Sequence, residues 1–338
     1  MRRVETSDIV RLQRVTARIR NLCVLAHIDH GKTTLTDSLI SSNGIISPRL
    51  AGKLRYLDST EDEQQRGITM QSSAISLLFK IDDKSSPTSE INSDNEFLIN
   101  LIDSPGHIDF SSDVSTATRL CDGALIVIDV LEGICTQTNA VIYKALKEGL
   151  TPCLILNKID RLCLELQLST TEAFHHLRRI LEQVNALAYT LVTSELQFND
   201  QENGIDDSHL SHEDKARIQD MWSFAPSNGN VLFASACDIW GFGVTKFVNY
   251  YARKFSLNRS VLQKYIFEDY SFNVQTSKII KLDSQNRAAK PMFAEMILDP
   301  IWKVYELCML RHDVSEAARW FAQEVRSLTN CFRSSTSI

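Results

Sequence analysis

Five short apolar runs, each ending in or leading to a polar motif, constrain the fold of this sequence most strongly. They are NLCVLAHI (Asn21–Ile28), EFLINLID (Glu96–Asp103), GALIVIDV, TPCLILNK and VLFASA. Helical stretches at about Thr136–Glu148 and Phe242–Phe255 separate or follow the later runs. Buried strands that alternate with helices are typical of a mostly parallel sheet covered on both faces. We therefore predict an α/β fold with its ligand site at the carboxyl ends of the strands.

Other segments depart from this alternation. SAISLLFKI and EFLINLID are predicted to be paired strands, joined by a polar hairpin loop, DDKSSPTSEINSDN. Between Asn157 and Ser235 the chain is longer than one crossover requires. Helical segments near Thr170–Leu191 and Ser211–Trp222 flank a polar stretch there, which predicts an inserted subdomain at about 165–230.

The domain prediction follows from these segments. Residues 1–20 form an N-terminal helical extension, since apolar residues recur there at helical spacing. Residues 21–260 form the main domain, including the insertion. Residues 261–338 form a helical extension that ends in a disordered tail.

Composition restricts the class of protein. Of 338 residues, 43% are hydrophobic, which is enough for a sizeable core, and the net charge of −6 argues against nucleic-acid binding by global electrostatics. No apolar run is long enough to span a membrane, which takes about 20 residues. The eight cysteines form no CxxC pair, which argues against a zinc site and favours free thiols in a reducing compartment. An arginine-rich N-terminus raises the alternative of a mitochondrial presequence, which Glu5 and Asp8 weaken.

The segment AHIDHGKTT, Ala26–Thr34, lies between a predicted strand and a predicted helix. Such a position suits a phosphate-binding loop, since backbone N–H groups and the helix dipole attract anions. Gly31 permits close approach, Lys32 can reach the β- and γ-phosphates, and the Thr33 hydroxyl can ligate Mg²⁺. The common pattern begins with Gly where this chain has Ala26, so an ordinary turn between strand and helix is the alternative.

The same loop contains His27, Asp29 and His30, which are possible ligands of a transition metal. Metal ligands need a common focus, and a tight phosphate loop does not provide one. We therefore predict that these residues, with Thr34, belong to the phosphate loop.

Two further motifs predict switch elements that sense the γ-phosphate. Thr69 of RGIT offers a second hydroxyl to Mg²⁺, and Asp103 of DSPGH can hold the ion through water. The Gly106 N–H can bond the γ-phosphate, and His107 is placed to orient the attacking water. The predicted metal ligands are thus Thr33, Thr69 and Asp103, and the predicted catalytic residue is His107.

Two motifs after the later strands predict guanine selectivity. Asp160 of NKID can accept hydrogen bonds from guanine N1–H and the 2-amino group, which adenine cannot offer. Asn157 can bond the base edge, and the stem of Lys158 can cover the ring. Backbone N–H groups at Ser235 and Ala236 can reach guanine O6.

Together, AHIDHGKTTL, DEQQRGITM, LIDSPGHIDF and NKIDR resemble the G domain of translational GTPases, a P-loop NTPase fold. Ala26 and His107 are the residues that this family has at those positions. The segment LISSNGIISPRLAGKLRYLDSTEDEQQRGITMQSSAISL and ASACDIWGFG (Ala234–Gly243) resemble the elongation-factor-like GTPases of 60S subunit maturation more than eukaryotic elongation factor 2. The resemblance covers about residues 10–310.

The resemblance implies a cytoplasmic, monomeric GTPase that uses Mg²⁺ and acts on the 60S subunit. Ribosomal RNA would orient His107 toward water, and Ile28 and Ile68 match the hydrophobic gate beside that histidine. With the Shwachman–Bodian–Diamond syndrome protein as partner, the full-length enzymes release an anti-association factor from the particle. Residue by residue, Asp29, His30, Gly31, Lys32, Thr33 and Thr34 match the family's phosphate loop, and Asn157, Lys158, Asp160, Ser235 and Ala236 match its base site.

One departure leaves alternatives open. Family members continue into a β-barrel and further domains, whereas this chain stops where the barrel should begin, so we expect a fragment or truncated product. A nucleotide-binding module without ribosomal output is one alternative. A translocation factor related to elongation factor 2 is another.

Overall fold

The computed structural model describes most of the chain. The described residues are 6–52, 54–58, 60–66, 69, 71–80, 96–105, 111–202, 212–273, 275–282, 289–312 and 314–320.

A seven-stranded sheet organises the described residues. Its strands are β1 (Ile19–Ala26), β2 (Ser73–Lys80), β3 (Glu96–Asp103), β4 (Gly123–Asp129), β5 (Thr151–Asn157), β6 (Val231–Ser235) and β7 (Trp240–Phe242). The spatial order is β2-β3-β1-β4-β5-β6-β7, and the central five strands are parallel. The edge strands β2 and β7 are antiparallel to their neighbours. The predicted mostly parallel sheet and the predicted pairing of β2 with β3 are confirmed. β8 (Tyr270–Asn273) and β9 (Lys278–Lys281) form a separate hairpin.

Alternate residues of the central strands enter different cores. In β1, Cys23 and Leu25 belong to one apolar cluster, and Val24 and Ala26 belong to the other. Successive side chains of a strand point to opposite faces, so the sheet is buried on both sides. This burial explains why the sequence of these strands is continuously apolar rather than alternating.

Twelve α-helices surround the sheet in the described part of the chain. They are α1 (Thr6–Gln13), α2 (Lys32–Ser42), α3 (Glu61–Arg66), α4 (Ser111–Arg119), α5 (Thr136–Lys147), α6 (Ile159–Leu164), α7 (Thr170–Glu202), α8 (His212–Met221), α9 (Val244–Phe255), α10 (Arg259–Tyr265), α11 (Asp299–Tyr305) and α12 (Val314–Trp320). Two π-helical turns, Ala294–Leu298 and Glu306–Leu310, flank α11.

Different helices pack on the two faces of the sheet. Leu35 and Ile40 of α2 pack on one face, whereas residues of α5, α6, α7 and α9 pack on the other. The thicker core also contains Phe293 and Ile301, so the segment that includes α11 shares the main core of the domain. Trp302 anchors that segment by donating a hydrogen bond from Nε1 to the Leu168 carbonyl at 2.8 Å.

The long helix α7 extends the predicted helical segment by about three turns and contributes Phe174 and Leu177 to the main core. The predicted domain boundaries, including the insertion at 165–230, stay predictions. The predicted hairpin loop between β2 and β3 and the predicted C-terminal tail lie outside the described residues. Within the described residues, every helix is too short or too polar to cross a membrane.

Candidate functional site

The loop between β1 and α2 has the backbone of a tight anion-binding turn. Asp29 and Gly31 both have left-handed backbone conformations, with φ of 61° and 90°. A Cβ at Gly31 would stand 2.4 Å from the Asn157 side-chain nitrogen, so glycine is required by both conformation and space. Gly31 caps the N-terminus of α2, where free N–H groups and the helix dipole favour a phosphate.

Lys32 lies at the start of α2 and forms a buried ion pair with Asp103 at the end of β3. The Lys32 Nζ is 2.5 Å from Asp103 Oδ1, and both side chains are almost fully buried. Burial raises the pKa of Asp103, and the Lys32 ammonium opposes that rise. The second oxygen, Asp103 Oδ2, is buried without a hydrogen-bond partner among the described residues. The pair therefore leaves acceptor capacity on Asp103 for a cation or a water molecule.

Thr33 and Thr69 bring two hydroxyl groups together beside this pair. Their Oγ1 atoms lie 3.1 Å apart, and the Thr69 hydroxyl donates to Asp58 Oδ1 at 2.9 Å. Adjacent oxygen ligands of Mg²⁺ lie about 2.9 Å apart, because Mg–O bonds of about 2.0–2.1 Å meet at right angles. Together with the unpaired oxygen of Asp103, the two hydroxyls offer oxygen donors of the kind that Mg²⁺ prefers.

Asn157, at the end of β5, joins two loops of the site. Its Nδ2 donates to the His30 carbonyl at 3.0 Å, and its Oδ1 accepts from the Ala236 N–H at 3.0 Å. The amide that was predicted to bond the base edge therefore holds the phosphate loop and the loop after β6 together. The Ala236 N–H, which was predicted to reach guanine O6, is likewise engaged with Asn157.

Lys158 follows Asn157 and crosses from the NKID loop to the phosphate loop. Its Nζ donates to the Asp29 carbonyl at 2.6 Å and lies 2.7 Å from Asp129 Oδ2. Its left-handed backbone, with φ of 66°, begins α6. The Lys158 stem thus passes close to Gly31, where an added Cβ would stand 3.8 Å from Lys158 Cε.

Asp160 and Ser235 lie side by side at the ends of adjacent parallel strands. Burial raises the pKa of Asp160, while a hydrogen bond from Ser235 opposes the rise and the negative charge of Asp238 adds to it. Ser235 is fully buried, and its hydroxyl also lies 3.3 Å from Asp238 Oδ2. A half-buried carboxylate with few compensating donors is suited to accept hydrogen bonds from a ligand.

The histidines of the phosphate loop have different surroundings. His30 is fully buried, and its Nε2 lies 3.4 Å from Glu132 Oε2 and 3.6 Å from Cys135 Sγ. Burial lowers the pKa of His30. The ring of His27 packs edge-on against that of His30, and ligand-type atoms of His27, Glu132 and Cys135 lie within 4.8 Å of one another. Local structure accounts for two members of this group, because Cys135 caps α5 and Glu132 pairs with His30.

Two predicted residues frame the loop from outside its centre. Ala26 ends β1 in the smaller core, with 5% of its surface exposed, so the departure from Gly places a small side chain inside the domain. The Thr34 carbonyl accepts from Ser38 at 2.8 Å within α2. The predicted residues Gly106 and His107, and the gate residue Ile68, lie outside the described residues.

Sequence reasoning missed several residues that support the site. Asp129 is the last residue of β4 and pairs with Lys158. Its place at the end of an apolar run could have identified it as a candidate site residue. No such signal marks the other three residues. Only folding brings Asp58 to Thr69, Asp238 to Ser235 and Tyr305 to Asp238.

Comparisons with known proteins agree with this geometry. Residues 17–285 match the family described as the elongation factor Tu GTP binding domain. Elongation factor-like GTPase 1 of Mus musculus is 50% identical over 310 residues, covering 88% of this chain and 26% of that protein. The Homo sapiens protein of the same name is 49% identical, covering 88% of this chain and 27% of its own length. Ribosome assembly protein 1 of Saccharomyces cerevisiae is 46% identical, covering 93% of this chain and 28% of that protein. The chain thus spans little more than a quarter of each of these relatives. Because the family match covers most of its length and includes the described site, the chain belongs to the family of the elongation factor Tu GTP-binding domain.

Proposed function

We propose that this chain binds GTP with Mg²⁺ and hydrolyses it to GDP and phosphate. The observation that carries the proposal is the meeting of two residue sets at one edge of the sheet. Lys32 and Thr33 begin α2, the helix that follows β1, and Asp103 ends β3. Asp160 lies in the first turn of α6, the helix that follows β5, and Ser235 ends the neighbouring strand β6. The first set suits phosphates and the second suits a purine base.

On the phosphate side, binding requires an exchange of partners. Lys32 would leave Asp103 for the β- and γ-phosphates, and Thr33, Thr69 and Asp103 would hold Mg²⁺. When bound, Mg²⁺ neutralises negative charge on the phosphate oxygens. Asp58 accepts a hydrogen bond from the Thr69 hydroxyl, which would leave the oxygen lone pairs of that hydroxyl free for the cation.

On the base side, Asp160 accepts hydrogen bonds from guanine N1–H and the 2-amino group. Adenine leaves that carboxylate unpaired, which costs on the order of 1–3 kcal/mol or more for a charged group. Lys158 covers the ring, and Asn157 sets the distance between the base and phosphate loops.

Hydrolysis is assigned to His107, which orients the attacking water, with Gly106 donating to the γ-phosphate. His107→Ala should lower the hydrolysis rate roughly 10²–10⁴-fold. GDP affinity should change little, because the histidine acts only on the water. The test compares single-turnover hydrolysis with GDP binding, and a variant that hydrolyses at the wild-type rate would remove His107 from this role.

We further propose that hydrolysis is coupled to maturation of the 60S ribosomal subunit in the cytoplasm. The relatives' names, Elongation factor-like GTPase 1 and Ribosome assembly protein 1, support this assignment. The partners would be ribosomal RNA and proteins, the Shwachman–Bodian–Diamond syndrome protein and the anti-association factor that is released. GTP turnover should be low alone and should rise when 60S subunits are added.

Turnover and co-sedimentation with 60S subunits test this coupling together. Equal rates with and without subunits, and no binding in either nucleotide state, would leave a nucleotide-binding module. Stimulation by complete ribosomes but not by isolated 60S subunits would instead favour a translocation factor.

A further inference from the structure

Tyr305, the last residue of α11, reaches the turn that follows the base-binding end of β6. Its hydroxyl donates to the Asp238 carboxylate and accepts from Trp240 Nε1 at 2.8 Å. Tyr305 is 5% exposed, and its ring belongs to the main core. The ring therefore packs as any aromatic would, while the hydroxyl makes specific contacts with the turn.

Asp238 connects Tyr305 to the base site. Its N–H lies 3.4 Å from Ser235 Oγ, and the Ser235 hydroxyl lies 3.3 Å from Asp238 Oδ2. Ser235 in turn lies beside Asp160, the carboxylate assigned to the guanine edge, and opposes the rise in its pKa that burial causes. A chain of hydrogen bonds thus runs from α11 to Ser235, next to Asp160.

The turn itself needs such support. It spans four residues between β6 and β7, and Ile239 within it has a left-handed backbone with φ of 57°. For a β-branched residue this conformation is unfavourable and persists only when its surroundings hold it in place. The link to Tyr305 and the pairing of β7 with β6 provide that support.

The link also holds a second carboxylate in place. The Asp238 charge acts on Asp160, and the two groups compete for the Ser235 hydroxyl. Because Tyr305 also donates to Asp238, that carboxylate depends less on the Ser235 hydroxyl.

We propose that Tyr305 is a positioning residue for guanine recognition, which acts through Asp238 to hold Ser235 and Asp160 in the geometry that reads the 2-amino group. The inference rests on the proposed function and deepens it. It gives α11, which is remote in sequence from every nucleotide-binding motif, a role in base selectivity.

The test is Tyr305→Phe in the full chain, which removes the hydroxyl and keeps the ring. We measure dissociation constants for GDP and for IDP, whose base lacks the 2-amino group, together with the melting temperature. GDP affinity should fall roughly 5- to 20-fold and IDP affinity less, so the preference for GDP should shrink.

Tyr251→Phe is the matched control. Tyr251 is buried in the same core, and its hydroxyl donates to the Met296 carbonyl at 2.7 Å. This variant should lose comparable thermal stability and keep the wild-type preference for GDP over IDP. The inference is overturned if Tyr305→Phe keeps that preference, or if both variants reduce it alike.

A double-mutant cycle tests the route through Asp238. Once Asp238→Ala is present, Tyr305→Phe should change the GDP preference little further, because the link is already broken. Additive effects would show that Tyr305 acts by another route. A wild-type chain that binds neither nucleotide would overturn the proposed function, which is a different failure from a Tyr305 variant that behaves like wild type.

Discussion

The phosphate side and the base side of the site are built from different interactions. On the phosphate side, Lys32 is paired with Asp103, and the Thr33 and Thr69 hydroxyls lie against each other. On the base side, Asn157 bridges two loops through two neutral hydrogen bonds. The residues that would hold phosphate and cation thus contact one another, whereas those around the base hold the loops.

The two sides also differ in which contacts can remain in place when a ligand binds. A nucleotide must displace Lys32 from a buried carboxylate, so binding there exchanges one strong charged interaction for another. The Asn157 bridge can remain intact when a base enters. We therefore expect substitutions that remove a charge on the phosphate side to lower GDP affinity most. Substitutions on the base side should lower it less, through changes in loop geometry.

The largest expected effect is that of Lys32→Ala. GDP affinity should fall by about 100-fold or more, since charge-assisted hydrogen bonds to phosphate contribute roughly 1.5–3 kcal/mol each. Leaving Asp103 buried without its partner should also cost about 3–5 kcal/mol of unfolding free energy at neutral pH. Titration with fluorescent GDP and chemical denaturation measure the two losses.

The stability loss of Lys32→Ala should depend on pH with a defined sign. Burial raises the folded-state pKa of Asp103, and without Lys32 nothing comparable opposes that rise. The folded variant then binds a proton more readily than the unfolded chain, so its deficit should shrink as pH falls. The control Lys281→Ala removes an exposed lysine of β9. A similar loss of stability there would show that the loss in Lys32→Ala does not come from the buried ion pair.

Asn157→Ala should come next. Removing the amide leaves the His30 carbonyl and the Ala236 N–H buried without partners, at a cost of about 1–3 kcal/mol each. Affinity for GDP and IDP should fall about equally, because the bridge sets loop spacing rather than reading the base.

Asn185→Ala is the control for this substitution. The Asn185 amide likewise bonds a backbone N–H and carbonyl, both of Phe224 at 2.8 Å, far from the motifs in sequence. It should lose similar stability and bind GDP normally. A loss confined to GDP in Asn157→Ala would show that the bridge bears on recognition of the 2-amino group, which IDP lacks.

An intermediate effect concerns pH and Asp160. Burial raises the pKa of this carboxyl, so it begins to protonate at a higher pH than the usual value of about 3.9. A protonated carboxyl loses acceptor capacity, and the preference for GDP over IDP should therefore shrink as pH is lowered. The ratio of the two dissociation constants cancels titration of the phosphates. A ratio that stays constant as pH is lowered until the protein itself begins to unfold would contradict this assignment.

The smallest expected effect is that of Ser38→Ala. The Ser38 hydroxyl donates to the Ala236 carbonyl at 2.6 Å and so connects α2 to the loop after β6. Its loss should cost about 0.5–1.5 kcal/mol of unfolding free energy and change GDP affinity little. Ser42→Ala, which removes only a local bond to Leu39, serves as the control, and denaturant titration measures both.

Much of the fold was predictable because its signals are local. Strands β3 and β4 follow from continuous apolar runs, and Gly31 and Lys32 follow from a motif between a strand and a helix. The two antiparallel edge strands differ in whether a local pattern predicts them. The pairing of β2 with β3 was predicted, whereas the three-residue β7 was too short to give a periodic pattern.

Hydrogen-bond partners were less predictable than site positions. The Asn157 side chain stays predicted to bond the base edge, whereas its hydrogen bonds to His30 and Ala236 were not predicted. A motif specifies which donors and acceptors are present near the ligand. It does not specify which of them the protein itself uses, since that depends on distances of a few tenths of an ångström.

By itself, the sequence determined the class of fold, the family and the order of the nucleotide motifs, because these depend on apolar periodicity and on residue types at short spacing. Only the tertiary structure decided which distant residues support those motifs. Asp58 meets Thr69, and Tyr305 meets Asp238 across 67 residues of chain. Such contacts arise when strands and helices pack, and no local pattern encodes the distance between two segments that meet only in the folded core.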